Sequence, residues 1–141
     1  MNSKEPDPSP EDIDAVLRFL PLLEEPGFDP GTMRAGTDHA DGAVEAPKFV
    51  FNPALTEMID ALYAHHWISD FDWSEWEVVA ERYVKNPGLL HDAGLGTIRK
   101  LFTTHVRMDR FSEGHLGEVA RAGHLLAVLR RLKEVRTAMR L

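Results

Sequence analysis

Apolar residues recur at helical spacing through most of the chain, and their breaks mark the elements. Ser9-Pro10-Glu11-Asp12 reads as a helix start, with Ser9 as N-cap, Pro10 at the first helical position and two acids on the positive end of the dipole. Ile13, Val16, Leu17 and Leu20 form its apolar face, and Pro21 keeps it short. Asn52-Pro53 opens a second helix whose Leu55, Met58, Ile59, Leu62, Tyr63 and His66 make a core-facing stripe, with His66 at the core edge. Ser74 and Glu77 have capping-box spacing, with Trp73 placed to staple onto Val78. The helix that follows carries Trp76, Val79, Ala80, Tyr83 and Val84 inward and ends at Asn86-Pro87-Gly88.

A fourth helix is predicted from Leu95 to Phe111. Ile98, Leu101 and Phe102 define its inner face, and the same face continues onto two polar residues, His105 and Asp109. Arg99, Lys100, Thr103, Arg107 and Arg110 fall on the opposite face, which is solvated or anion-facing. Ser112 is positioned to cap a short fifth helix with Leu116, Val119 and Ala120, ended by Gly123. The last helix, from about His124 to Arg140, spaces Leu125, Val128, Leu132, Val135 and Met139 as a seam of two heptads. That seam is long enough to pack on the chain's own helices, and the alternative is a homodimer. The expected fold is therefore all-α, a compact orthogonal bundle of five or six helices in residues 9–141, after a disordered tail at 1–8. One long loop, about 27–52, interrupts it. Only Phe49-Val50-Phe51 within that loop reads as buried or as a short edge strand, and the loop is a lid or a disordered insertion.

Composition narrows the chemistry. The 141 residues include no cysteine, which excludes thiol catalysis and thiolate metal sites. No apolar run approaches a membrane span and the first residues are acidic and proline-rich, so the expected location is cytoplasmic. The net charge of −7 is uneven: residues 1–45 carry −8, 46–96 carry −5 and 97–141 carry +6. The acidic and basic halves are expected to face each other in the fold and partly neutralise. The alternative, a basic surface of Arg121, Arg130, Arg131, Lys133, Arg136 and Arg140 tracking phosphates, lacks a helix-turn-helix signature or interleaved aromatics, so nucleic acid is not the expected partner.

The runs Ala61-Leu62-Tyr63, Trp67-Ile68, Phe71-Asp72-Trp73-Ser74-Glu75-Trp76, Thr104 to Leu116 and Leu129-Arg130-Arg131-Leu132 resemble the bacterial domain of unknown function numbered 6508, over roughly residues 12–136. The resemblance implies a small bacterial domain without an assigned activity, and it supplies no catalytic residues.

Candidate chemistry therefore comes from the residues alone. Trp73 and Trp76 beside His105, Arg107, Asp109, Arg110, Glu113 and His115 would give aromatic walls and charged groups at two helix junctions. The expected function is a non-enzymatic binding or regulatory module that contacts a protein partner or a small anionic ligand there. A hydrolase-like or metal-dependent enzyme using His105, Asp109, Glu113 and His115 is the alternative, with Asp109 orienting His105 and Arg110 stabilising negative charge. No metal motif or phosphate loop is present, so no metal or cofactor is expected. The same residues also have a purely structural reading, in which His105 pairs with Asp109 and Arg110 with Glu113 to fix helix packing.

Overall fold

A computed structural model describes residues 7–36, 42 and 46–139. Residues 1–6 of the expected tail and most of 37–45, the centre of the expected lid or insertion, lie outside the described residues. The fold is predominantly helical, with seven α-helices among the described residues: α1 (Pro10–Leu17), α2 (Leu20–Glu24), α3 (Pro53–Ala64), α4 (Glu77–Lys85), α5 (Leu95–Phe111), α6 (His115–Arg121) and α7 (His124–Met139). The count exceeds the expected five or six because the apolar face that begins at Ile13 is divided. α1 stops at Leu17, and Leu20-Pro21 starts a separate short helix that buries Leu20 and Leu23.

Local signals act where they were read. The Ser9 hydroxyl accepts from the Asp12 amide, and the Asp12 carboxylate accepts from the Ser9 amide, which is a complete capping box. The Asn52 side chain accepts from the Ala54 amide to open α3. α7 packs against α1, α2, α5 and α6 and buries Leu125, Val128 and Leu132 in the chain's own core, with Val135 and Met139 partly buried against it. Trp67 is fully buried after α3. Its indole donates to the Asp12 carbonyl at 3.0 Å, and its ring meets Phe102 edge-on.

Several expectations are corrected. His66 does not continue the α3 stripe: the helix ends at Ala64, and His66 turns out to solvent with φ of 65°. Ser74 does not cap α4. Trp73–Trp76 forms a 3-10 turn, Ser74 Oγ donates to Asp72 instead, and Trp76 occupies the N-cap position without a side-chain bond. Trp73 does not staple onto Val78, which is exposed; it stacks on Phe111. Arg99 and Thr103 are buried, not solvated. Thr103 Oγ1 donates to the Trp67 carbonyl and accepts from the Ser69 amide, so the hydroxyl ties α5 to the segment after α3. Ser112 ends α5 and does not start α6, which begins after Gly114 at φ of 88°.

The expected long loop contains an antiparallel hairpin, β1 (Gly31–Arg34) paired with β2 (Lys48–Phe51), with Gly31 opposite Phe51 and Arg34 opposite Lys48. The hairpin is docked on α6. The Phe49 ring lies so close over Gly114 and Gly117 that a Cβ at Gly117 would overlap it. The Phe49 amide donates to Glu113, and the Arg121 guanidinium donates to Asp29 and to the Gly31 carbonyl. The two ends of the chain also meet as their charges suggest: Arg130 pairs with Glu24 at 3.2 Å and Arg136 with Asp14 at 3.0 Å. Among the described residues no helix is long and apolar enough to cross a membrane.

Candidate functional site

α5 runs on from its apolar turns into His105, which is 2% exposed. The helix therefore delivers an imidazole to the interior, and its partner comes from α6. His105 Nδ1 lies 3.0 Å from His115 Nε2, and the rings stack with 5.3 Å between centroids. One ring must donate and the other accept, so the pair holds a single N–H between two neutral imidazoles. A third histidine closes the group: His124, in the first turn of α7, meets His105 edge-on at 5.0 Å. His105 Nε2 and both nitrogens of His124 are buried without a hydrogen-bond partner.

Burial dominates the electrostatics. It pushes His105 down to about 3, helped by the neighbouring His124 and His115, and it pushes His124 down to about 4. His115 is half-buried and is lowered for the same reason, against the pull of the Asp109, Glu118 and Glu77 carboxylates. At neutral pH His105 and His124 are uncharged.

Above the His105–His115 pair opens a cleft of about 480 Å³. α4 supplies Glu77, Val78, Ala80, Glu81 and Val84 to one wall; α5 supplies His105 and Met108; α6 supplies His115, Glu118 and Val119, and Ala122 follows at its end. The walls are aliphatic, the bottom is imidazole, and every formally charged lining group is a carboxylate. Glu81 is already paired with Lys85 at 3.0 Å on the surface of α4. Positions 105 and 108 lie on one face of α5, and the next position on that line, Phe111, is 80% exposed and stacked on Trp73 with centroids 5.7 Å apart.

The structure brings some of the sequence candidates together and separates others. His105 and His115 are joined directly. Asp109 is close by but does not orient His105; its carboxylate accepts from the Leu116 amide at 3.0 Å and so caps the start of α6. Glu113 is engaged by the Phe49 amide and forms no ion pair with Arg110 among the described residues. Trp73 reaches the end of α5 that carries Arg110, whereas Trp76 stacks on Tyr83 at 6.2 Å with Lys100 5.9 Å from its ring. The two tryptophans thus build no common wall. Arg107 and Arg110 do not line the cleft. Glu77, Glu81, Met108, Glu118 and His124 are the residues the sequence reading missed. Glu77, Glu81 and Glu118 look like ordinary solvated helix positions, and only the pairing of α4 with α5 and α6 sets them around one opening. Among the described residues, no three His, Asp or Glu side chains are grouped to hold a metal ion.

No curated protein and no solved structure matches the chain. The family model described as a family of unknown function, DUF6508, matches residues 8–138, and the chain therefore belongs to that family.

Proposed function

We propose that the protein is a non-enzymatic ligand-binding module and that its small ligand enters the cleft between α4 and the α5–α6 pair. The observation that carries this reading is the buried His105–His115 pair at the bottom of an opening of about 480 Å³, a size typical of small-molecule sites. A buried imidazole nitrogen without a partner is costly for stability alone, and the place of the His105 ring on the cleft wall supports a ligand-binding role for keeping it there. Arg107 and Arg110, the cations of this region that would draw an anionic ligand, do not line the cleft.

The test is a thermal-shift screen of wild type, Val84→Trp and Ala122→Phe against divalent metals, small anions, small alcohols, small amines, small esters and small amides. Both substitutions place a large side chain in the cleft, one from α4 and one from the exposed end of α6. A ligand at 100 times its dissociation constant stabilises by about 2.7 kcal/mol, which is visible as a rise in Tm. The expected result is at least one compound that raises the Tm of wild type and neither filled variant. Compounds that stabilise all three proteins equally, or a screen with no stabiliser, would overturn the reading. Turnover of any stabilising ester or amide would favour the hydrolase-like alternative.

A further inference from the structure

The charge around the cleft has one sign. Glu77 from α4 and Glu118 from α6 both line the opening, Glu81 stands beside them with Lys85 as its partner, and among the described residues no arginine or lysine lines the space. Asp109, Glu118 and Glu77 all act on His115, so the negative field reaches the bottom of the cleft from three helices. Val84, Met108 and Val119 give the walls an aliphatic surface between the carboxylates and the imidazoles. The second, independent observation is His105 itself. It is 2% exposed, it lines the cleft, and its Nε2 has no partner. The His105–His115 pair shares one N–H, so one of its two outer nitrogens is an acceptor and the pair adds no positive charge to the site.

Resting on the cleft reading above, we propose that the ligand is a small aliphatic cation, with its ammonium group held by Glu77 and Glu118 and its alkyl stem laid along Val84, Met108 and Val119. An anion would be repelled by the carboxylates, and a neutral alkane would offer them no hydrogen-bond donor. An alkylammonium satisfies both surfaces, since its head donates to carboxylates while its stem covers the apolar wall.

The experiment uses n-pentylamine, pentanol and pentanoate, which share one alkyl stem and differ in head group, titrated by calorimetry into the full chain at neutral pH and low salt. Wild type is expected to bind n-pentylamine and neither of the others. Glu77→Gln and Glu118→Gln, which keep size and fold, are each expected to weaken n-pentylamine by about tenfold, and added salt should weaken it further. Glu11→Gln, which removes the same charge from the exposed face of α1, should leave binding unchanged. Equal or tighter binding of pentanol or pentanoate overturns the cationic class; if Val84→Trp abolishes that binding, the cleft reading stands without it. Failure of n-pentylamine to bind, or indifference to both glutamine substitutions, also overturns the proposal, whereas failure of the whole thermal-shift screen removes the cleft reading beneath it.

Discussion

His105 Nδ1 and His115 Nε2 meet at 3.0 Å, joining α5 to α6 through two imidazoles where the sequence suggested an imidazole and a carboxylate. With Asp109 committed to the Leu116 amide, no acid holds either ring in its charged form by direct contact. The pair is therefore a neutral, hydrogen-bonded unit, and its behaviour toward protons follows from burial.

Acid should destabilise the protein before most carboxylates titrate. An unfolded histidine takes up its proton below about pH 6.5, whereas folded His124 does so only near 4 and folded His105 near 3. Between those limits the unfolded state binds more protons. Stability is thus fully present above about pH 6.5 and falls as pH drops through 4 toward 3, by several kcal/mol in total. Denaturant titrations across this range should show that slope, and His124→Leu should flatten it. A slope unchanged by His124→Leu would contradict the assignment.

Asp109 has two separable effects. Its carboxylate caps α6, and its charge raises the proton affinity of His115. Asp109→Asn keeps an acceptor for the Leu116 amide but removes the charge, so the His115 pKa should move further down while stability changes little. Asp109→Ala should lower the pKa equally and cost about 1 kcal/mol as well. NMR titration of the His115 ring alongside urea unfolding distinguishes the two. An unmoved His115 in Asp109→Asn would show that this charge does not act on the ring.

The hairpin's anchorage predicts a change of sign. Gly117→Ala places a methyl group under the Phe49 ring and should destabilise by about 1–3 kcal/mol, although alanine favours a helix over glycine. In a Phe49→Ala background the clash disappears, so the same Gly117→Ala change should become neutral or stabilising by up to about 1 kcal/mol. Additive effects in this double-mutant cycle would mean that Phe49 does not rest on Gly117.

What was legible in the sequence was local. Ser9 with Asp12, Asn52 before Pro53, and the uninterrupted stripe from Leu95 to Phe111 each act within a few residues, and those helix starts and the span of α5 agree with the structure. One strand was legible, since Phe49-Val50-Phe51 reads as a short edge strand and lies in β2; its pairing was not, because the strands are separated by residues 35–47 and the anchor is supplied by Glu113, Gly114 and Gly117, more than sixty positions away from Phe49. Glu77 was misassigned for a related reason. A Ser-x-x-Glu spacing looks like a capping box, but the 3-10 turn over Trp73–Trp76 rotates Ser74 onto Asp72 and leaves Glu77 to face the cleft. His105 was found by its place on an apolar stripe, and His115 only as a nearby polar residue. His124 gave no signal, since a polar residue in the first turn of a helix is ordinary, and its burial comes from how α7 packs on α5 and α6.

The central claim is that a ligand sits against α4, α5 and α6, and the methyl group of Met108 on the cleft wall reports it most directly. Methyl NMR of the full chain, with the signal assigned through Met108→Leu, should be recorded while the best stabilising compound of the thermal-shift screen is added. A saturable shift of the Met108 methyl and of the His115 ring, absent in Val84→Trp, is the predicted result. Saturable binding that leaves both signals in place and moves residues of α7 or the hairpin would contradict the account.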